Sequence, residues 1–355
     1  MRCVTGLLPE ASLSELLDES ISFDATTTRG LTNHLPMALV AKAGLGASSV
    51  ELKRFADRYS QRLAEAPEGI VELSRANWQL AVGKTSAYPD LVHFFNQEVK
   101  ELGVDELLRT YLEKLVAGIS GAAFHGVVRL AYALDVRSSN RVSTALAYLA
   151  SSATTLAPLE QISPRTDSPE RLLSELSKTP EWASIPPMKL ISEEMSWVAA
   201  QPQFSRATSS LEVNGSTPEL LAQAALRVYA STDDFTALHG VTGMEALARI
   251  RGYVEDTATF DRFSFQALAA AYTSIGAPAV WSETRLSEVA SRDRIDMSAV
   301  ATKAAMSDDE HVAKLVFTSN RLFSANSNPL YLFVSQRAID NDVTTAEPIS
   351  RIADC

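Results

Sequence analysis

The sequence predicts an all-α fold, and three observations carry that expectation. Apolar residues recur at spacings of three and four along nearly the whole chain, which is the period of one helix face. Almost no segment alternates with period two, the pattern of a half-buried strand. Segment starts and stops follow helical chemistry, with Ser or Pro near the first turn and Gly near the last. At 355 residues, 46% hydrophobic and 21% charged, the chain can bury a large core.

Each element follows from its own residues. SLSELLDESI (12–21) places apolar residues at three-to-four spacing after a Ser-rich start. SSVELKRFADRYSQRLAEA (48–66) opens with Ser caps and sets Val50, Leu52, Phe55, Tyr59 and Leu63 on one broad face. YPDLVHFFNQEVKELG (88–103) begins with Pro and ends at Gly103. Residues 104–136 read as one long apolar helix, or two joined near Gly118 and Gly121. NRVSTALAYLASSATTL (140–156) follows. Further helices are expected over 168–178, 188–201, 217–232, 241–254, 260–275, 284–292, 297–306, 308–323 and 329–339. The stretch 157–217 holds most of the Pro- and Ser-rich sequence and reads as a loop-rich crossover with two short helices. Two histidine-bearing segments precede it and two follow it, so residues 1–355 are expected to form a single domain with one core.

Bulk properties narrow the function. A net charge of −11 with no Lys/Arg block repels phosphate backbones, so nucleic acid is not an expected partner. Cys3 and Cys355 stand at opposite ends and share no CxxC spacing, which excludes a cysteine framework or cysteine-rich zinc site. The N-terminus lacks the long apolar run of a signal peptide, and no apolar stretch reaches the ~18–20 residues of a membrane span. The expectation is a soluble, cytoplasmic protein. AGLGASS (43–49) contains GxG without the third Gly and without a leading strand, so neither a dinucleotide fold nor a resident flavin is expected. No GxxxxGK[ST], GxSxG or HExxH is present. Glu193 and Glu194 read as a solvated face.

The histidines carry the chemistry. Four of the five sit in LTNHLPMAL (31–39), AAFHGVVRLAYAL (122–134), TALHGVTGMEAL (236–247) and DDEHVAKL (308–315), each on or beside an apolar helical stretch. Imidazole is the commonest side-chain ligand for Zn, Fe, Cu and Ni. His34, His125, His239 and His311 pointing into one core would make a metal site without a local motif; taken singly, each is more often a hydrogen-bonded core residue. His125 and His239 share the form apolar-His-Gly. The fifth, His93, lies between apolar residues and reads as an ordinary helix residue lining the core.

Together, NHLPMAL (33–39), LGASSVELKRFADRY (45–59), FFNQEV (94–99), FHGVVRLAYAL (124–134), ALHGVTG (237–243) and DDEHVAKL (308–315) resemble the questin oxidase-like family, over about 30–340. Members include fungal enzymes of polyketide pathways that cleave an anthraquinone ring with a net Baeyer–Villiger-type outcome. The resemblance implies a non-haem iron oxygenase with four histidines and a carboxylated lysine as ligands. His34, His125, His239 and His311 match the family histidines. Lys314, three residues after His311 and on the same helix face, is the candidate for the carboxylated lysine. Its other reading is a solvated amine, or a partner for Asp309 or Glu310. The implied cofactor is Fe(II), with zinc as the alternative metal and NADPH acting only as an external reductant. The implied reactants are O2 and a small aromatic or quinonoid substrate. Arg129, one helical turn after His125, is a candidate for orienting a phenolate, or for a structural ion pair. Tyr132 and Trp78 are candidate pocket aromatics. Two other functions compete with the oxygenase. One is a histidine-rich zinc hydrolase; the other is a helical protein whose histidines merely line a ligand pocket.

Overall fold

Capping chemistry sets the helix boundaries along the chain. The Ser48 side chain accepts from the Glu51 N–H while the Glu51 carboxylate accepts from Ser48 N–H, a reciprocal cap. Asp234, Asp256, Asp296 and Asp309 accept first-turn N–H groups at four further helices. Gly103 ends one helix at φ 76°, a conformation in which a side chain would be strained.

The computed structural model describes residues 11–291 and 295–342; Cys3 and Cys355 lie outside the described residues. The first elements are α1 (Ala11–Ser20), β1 (Phe23–Thr27), α2 (Leu35–Gly44), α3 (Ser49–Ser60) and β2 (Leu63–Glu65). Next come α4 (Tyr88–Leu102), α5 (Val104–Tyr111), α6 (His125–Val136), α7 (Ser139–Ser152), α8 (Pro169–Leu176), α9 (Ile191–Ala199) and α10 (Pro202–Thr208). The last are α11 (Thr217–Thr232), α12 (Phe235–Ile250), α13 (Thr257–Ser274), α14 (Glu283–Ser291), α15 (Met297–Met306), α16 (Glu310–Asn326) and α17 (Leu330–Asp340). The fold is all-α. β1 and β2 pair antiparallel with an irregular register, Phe23 opposite Glu65 and Thr27 opposite Leu63.

Four helices position the site. α2 packs on α6, α6 on α12, α12 on α16, and α16 back on α2, a closed cycle. One apolar core cluster runs from Leu13 to Ala338. The crossover contributes Leu172, Trp182, Phe204 and Leu211 to it, all nearly inaccessible.

Of the two readings of residues 104–136, the structure has the second: two helices separated by a 3-10 turn (Leu112–Gly118) and by three successive left-handed residues, Ala122, Ala123 and Phe124. The chain passes so close to the end of α7 that a Cβ on Gly121 would collide with the Ser152 carbonyl. Phe124 then fills the notch left by the missing side chain of Gly243 on α12. That turn delivers His125 as the first residue of α6. The helix expected over 48–66 stops at Ser60, and residues 63–65 become β2. The crossover holds three helices rather than two, because Pro202 starts α10. AGLGASS joins α2 to α3 through Gly46 at φ 95°. Glu193 is exposed and accepts the N–H groups of Lys189 and Leu190 at the start of α9.

Candidate metal centre

All four histidines lie at the N-terminal ends of helices, within the cap or the first five residues. His34 is the N-cap of α2, followed by Pro36 in the first turn. Buried Asn33 holds this turn: its amide donates to the Asp24 carbonyl and its Oδ1 accepts from Leu35 N–H. The His34 N–H donates to the Tyr59 hydroxyl at 2.9 Å. His125 opens α6, His239 is the fifth residue of α12, and His311 is the second of α16.

The imidazoles form a ring in the order of the helix cycle. Ring centroids are 4.5 Å apart for His34 and His125, 4.8 Å for His125 and His239, 5.3 Å for His239 and His311, and 4.7 Å for His311 and His34. His34, His125 and His239 are at most 3% exposed. Ligating atoms of His34, His125 and His311 lie within 4.8 Å of one another, slightly wider than the span of about 4 Å that two metal–nitrogen bonds allow. Lys314 is buried, with Nζ 3.3 Å from His34 Nδ1.

Hydrogen bonds fix how three of these rings present themselves. His125 Nδ1 faces the Ala122 carbonyl at 2.5 Å, His239 Nδ1 the Phe235 carbonyl at 2.7 Å, and His311 Nδ1 the Asp309 carboxylate at 3.2 Å. An acceptor at Nδ1 assigns the proton there and leaves the Nε2 lone pair as a ligand, the usual outer arrangement around a metal-bound histidine. Nε2 of His125 and of His311 is buried without a hydrogen-bond partner. Buried polar atoms are rarely left so, and a bound cation would satisfy them. The donor set therefore fits a metal. His34 differs, since its Nδ1 faces both Lys314 and Glu310, the latter at 3.5 Å. Asp309, Glu310 and His311 form a second group able to hold a cation.

Burial is the main reason that His34, His125 and His239 sit well below the ordinary imidazole value of 6.5. Lys314 adds to the shift at His34 and His125, and the neighbouring imidazoles add to it at His239. A lowered folded pKa means that the unfolded chain binds more protons below 6.5. Stability of the metal-free protein should therefore fall as pH drops through 6.5 toward the folded values, and change little from these groups above 6.5. Denaturant midpoints measured on both sides of that pH test this. A midpoint that rises on acidification would contradict the burial of three neutral imidazoles.

Two clefts reach the ring. One, of about 1050 Å3 including its open mouth, meets His34 and His311 between Tyr59, Phe235, Arg29 and Arg62. The other, of about 730 Å3, meets His125 and is lined by hydroxyl side chains, among them Thr32, Tyr148, Ser151 and Ser152. Thr32 borders both.

The remaining sequence candidates fall elsewhere. Arg129 is 4% exposed but borders neither cleft; it lines a separate narrow cavity with Leu17, Met37, Tyr132 and Arg141. Its guanidinium packs beside Tyr148, which borders the second cleft. No ion pair is found for it among the described residues. Its guanidinium carbon lies 5.2 Å from the Tyr148 ring and 6.0 Å from that of Tyr88. Such contacts contribute about 0.5–2 kcal/mol, against a burial cost of roughly several kcal/mol per ion. Tyr132 is buried against α16, its hydroxyl 3.2 Å from Thr318 Oγ1. Trp78 belongs to an aromatic cluster with Phe94, Phe95 and Tyr111 and lines neither cleft. His93 is exposed on α4 and bonds Gln97, so it does not line the core.

Three cleft residues were not singled out by sequence. Phe235 stacks edge-on to His239 and His311 at 4.7 and 4.6 Å. Its position one helical turn before His239 is the signal that could have found it. Tyr59 lies in the 45–59 segment of family likeness, but nothing local ties it to His34. Arg62 becomes visible as a cleft residue only once β2 returns beside β1.

Among the described residues no helix is long and apolar enough to cross a membrane. No curated protein matches the sequence. A family model described as questin oxidase-like matches residues 31–318, a span that includes all four histidines and Lys314. A family so described points to an oxidoreductase acting on polyketide-like substrates. With most of its length covered by that match, the chain belongs to the questin oxidase-like family.

Proposed function

We propose that this protein is an Fe(II)- and O2-dependent oxygenase that oxygenates or cleaves a planar phenolic or quinonoid substrate, with a Baeyer–Villiger-type outcome. The observation that carries the reading is the closed ring of three buried imidazoles and half-buried His311, with the Lys314 amine 3.3 Å from one of them. His34, His125, His239 and His311 would hold the iron, and Lys314, as its carbamate, would supply an anionic oxygen. Iron bound there would supply the redox chemistry that O2 requires.

The residues around the ring support this assignment. Helix N-termini carry partial positive charge, and four of them converge on the imidazole ring. Such a site calls for an anionic ligand to balance a divalent cation. Carbamate formation joins the neutral Nζ to the carbon of CO2 and releases one proton, and burial favours the neutral amine. Glu310 is the second candidate for the anion, because its Oε1 lies 3.5 Å from His34 Nδ1. Phe235, Tyr59 and Arg62 line the larger cleft, where Arg62, 5.3 Å from the Tyr59 ring, would meet a phenolate. Glu310, bordering the same cleft, is placed to accept a phenolic proton. Any NADPH would act as an external reductant of the quinone or the iron.

Oxygen uptake by anaerobically purified protein tests the reading. With a dihydroxyanthraquinone and its hydroquinone as trial substrates, uptake should disappear on chelation and return with Fe(II). Recovery with Zn(II) instead, together with ester or amide hydrolysis, would favour the zinc hydrolase. A yellow protein with flavin absorbance would overturn the assignment.

A further inference from the structure

Lys42 is the one charged side chain of α2, the helix that His34 caps, and it is buried. Its Nζ donates to the Ala305 carbonyl at 2.7 Å and to the Ser307 carbonyl at 2.5 Å, and stands 4.7 Å from the centre of the Phe55 ring. No carboxylate lies within 4.0 Å of it among the described residues. Lysine is almost never fully buried without a partner. Here the partner is the C-terminal end of α15, where the last carbonyls lack intrahelical donors and carry partial negative charge. Burial lowers the Lys42 pKa from 10.5 to about 8, so the group is still an ammonium at pH 7.

The capped end leads straight into the metal centre. Only Ser307, Asp308 and Asp309 separate α15 from α16, and each of them is held. Ser307 Oγ accepts from the Asp309 N–H at 3.0 Å. Asp308 pairs with Arg58 and Arg54 of α3. Asp309 Oδ1 accepts from the His311 N–H at 2.7 Å and faces His311 Nδ1 at 3.2 Å. A continuous series of contacts thus runs from α2 through the turn to the His311 ring. We infer that Lys42 is a positioning residue of the metal centre: by capping α15 it fixes the 307–309 turn, and through Asp309 it sets how His311 presents Nε2. Outer partners of this kind hold a ligand ring in one orientation. The role rests on the metal-binding reading of the four imidazoles, but not on which metal binds or on a carbamate at Lys314.

Titration of the metal-free full-length protein with Co(II) tests it. Visible absorption follows the ligand set, and a denaturant midpoint is measured on the same protein. Lys42→Met keeps an unbranched side chain and removes the donors. It should weaken Co(II) binding by about 10–100-fold, the effect of losing an outer partner, and change the absorption spectrum. Asp309→Ala should do the same. Adding Lys42→Met to Asp309→Ala should then cost less than about twofold more in Co(II) affinity, because the link is already cut, while the midpoint still falls by the full Lys42→Met decrement. A lysine that only stabilises the fold would lower the midpoint and leave affinity and spectrum unchanged. If Lys42→Met does not fold, Ser307→Ala decides: it cuts one neutral hydrogen bond of the turn and should weaken Co(II) binding by about 2–10-fold. Wild-type affinity and spectrum in the deciding variant, or fully additive losses of affinity in the double variant, would overturn the inference. Absence of Co(II) binding by the wild-type protein would overturn the metal centre itself, so the two failures are told apart.

Discussion

Lys314→Arg should abolish iron-dependent oxygen uptake as completely as Lys314→Ala. Arginine preserves positive charge and much of the length, so a lysine acting as a cation would tolerate the change best. A guanidinium cannot form the carbamate and stays protonated, and it would hold that charge beside the four imidazoles. Lys314→Ala should be partly rescued by formate or acetate, which can bring an anionic oxygen into the space vacated by the side chain. Wild-type activity after reconstitution should rise with dissolved CO2, a dependence that a structural lysine would not produce. An iron-loaded and fully active Lys314→Arg protein would rule out the carbamate and shift the anionic role to Glu310, 3.5 Å from His34.

His125→Ala and His239→Ala should each lower metal affinity by more than ~100-fold, because losing a mere orienting partner already costs about 10–100-fold. These two are the most informative positions. Each is buried, and each has Nδ1 committed to a backbone carbonyl three or four residues earlier. Loss of an ordinary core histidine would lower stability without changing metal content. Metal analysis beside a denaturant midpoint separates the two outcomes, and full metal retention in both variants would reduce these imidazoles to structural residues.

How much of this was legible beforehand depends on the range of the physics involved. Helix positions followed from local periodicity and caps, so most boundaries expected from the sequence lie within a few residues of those in the structure. The family match rests on the same local segments. What escaped was long-range. A break near Gly118 and Gly121 was open in the sequence, but its form depends on Gly121 passing the end of α7 and on Phe124 entering the Gly243 notch, contacts between residues far apart in sequence. The β1–β2 pair is too short for a period-two signal. Arg129 lies one helical turn after His125, and its guanidinium packs beside the rings of Tyr148 and Tyr88, contacts that local spacing does not show. Residue type alone makes Trp78 a candidate pocket aromatic, and its neighbours Phe94, Phe95 and Tyr111 account for it as core.

The central claim is that four imidazoles and Lys314 share one metal. Diffraction at the iron edge, from protein reconstituted anaerobically with Fe(II) in bicarbonate buffer, tests it most directly. The account predicts one iron per chain, bound by nitrogen atoms of His34, His125, His239 and His311 and by a carbamate oxygen on Lys314. Iron located elsewhere, any one of the four rings turned away from it, or a bare Lys314 amine beside a fully occupied iron would contradict the account.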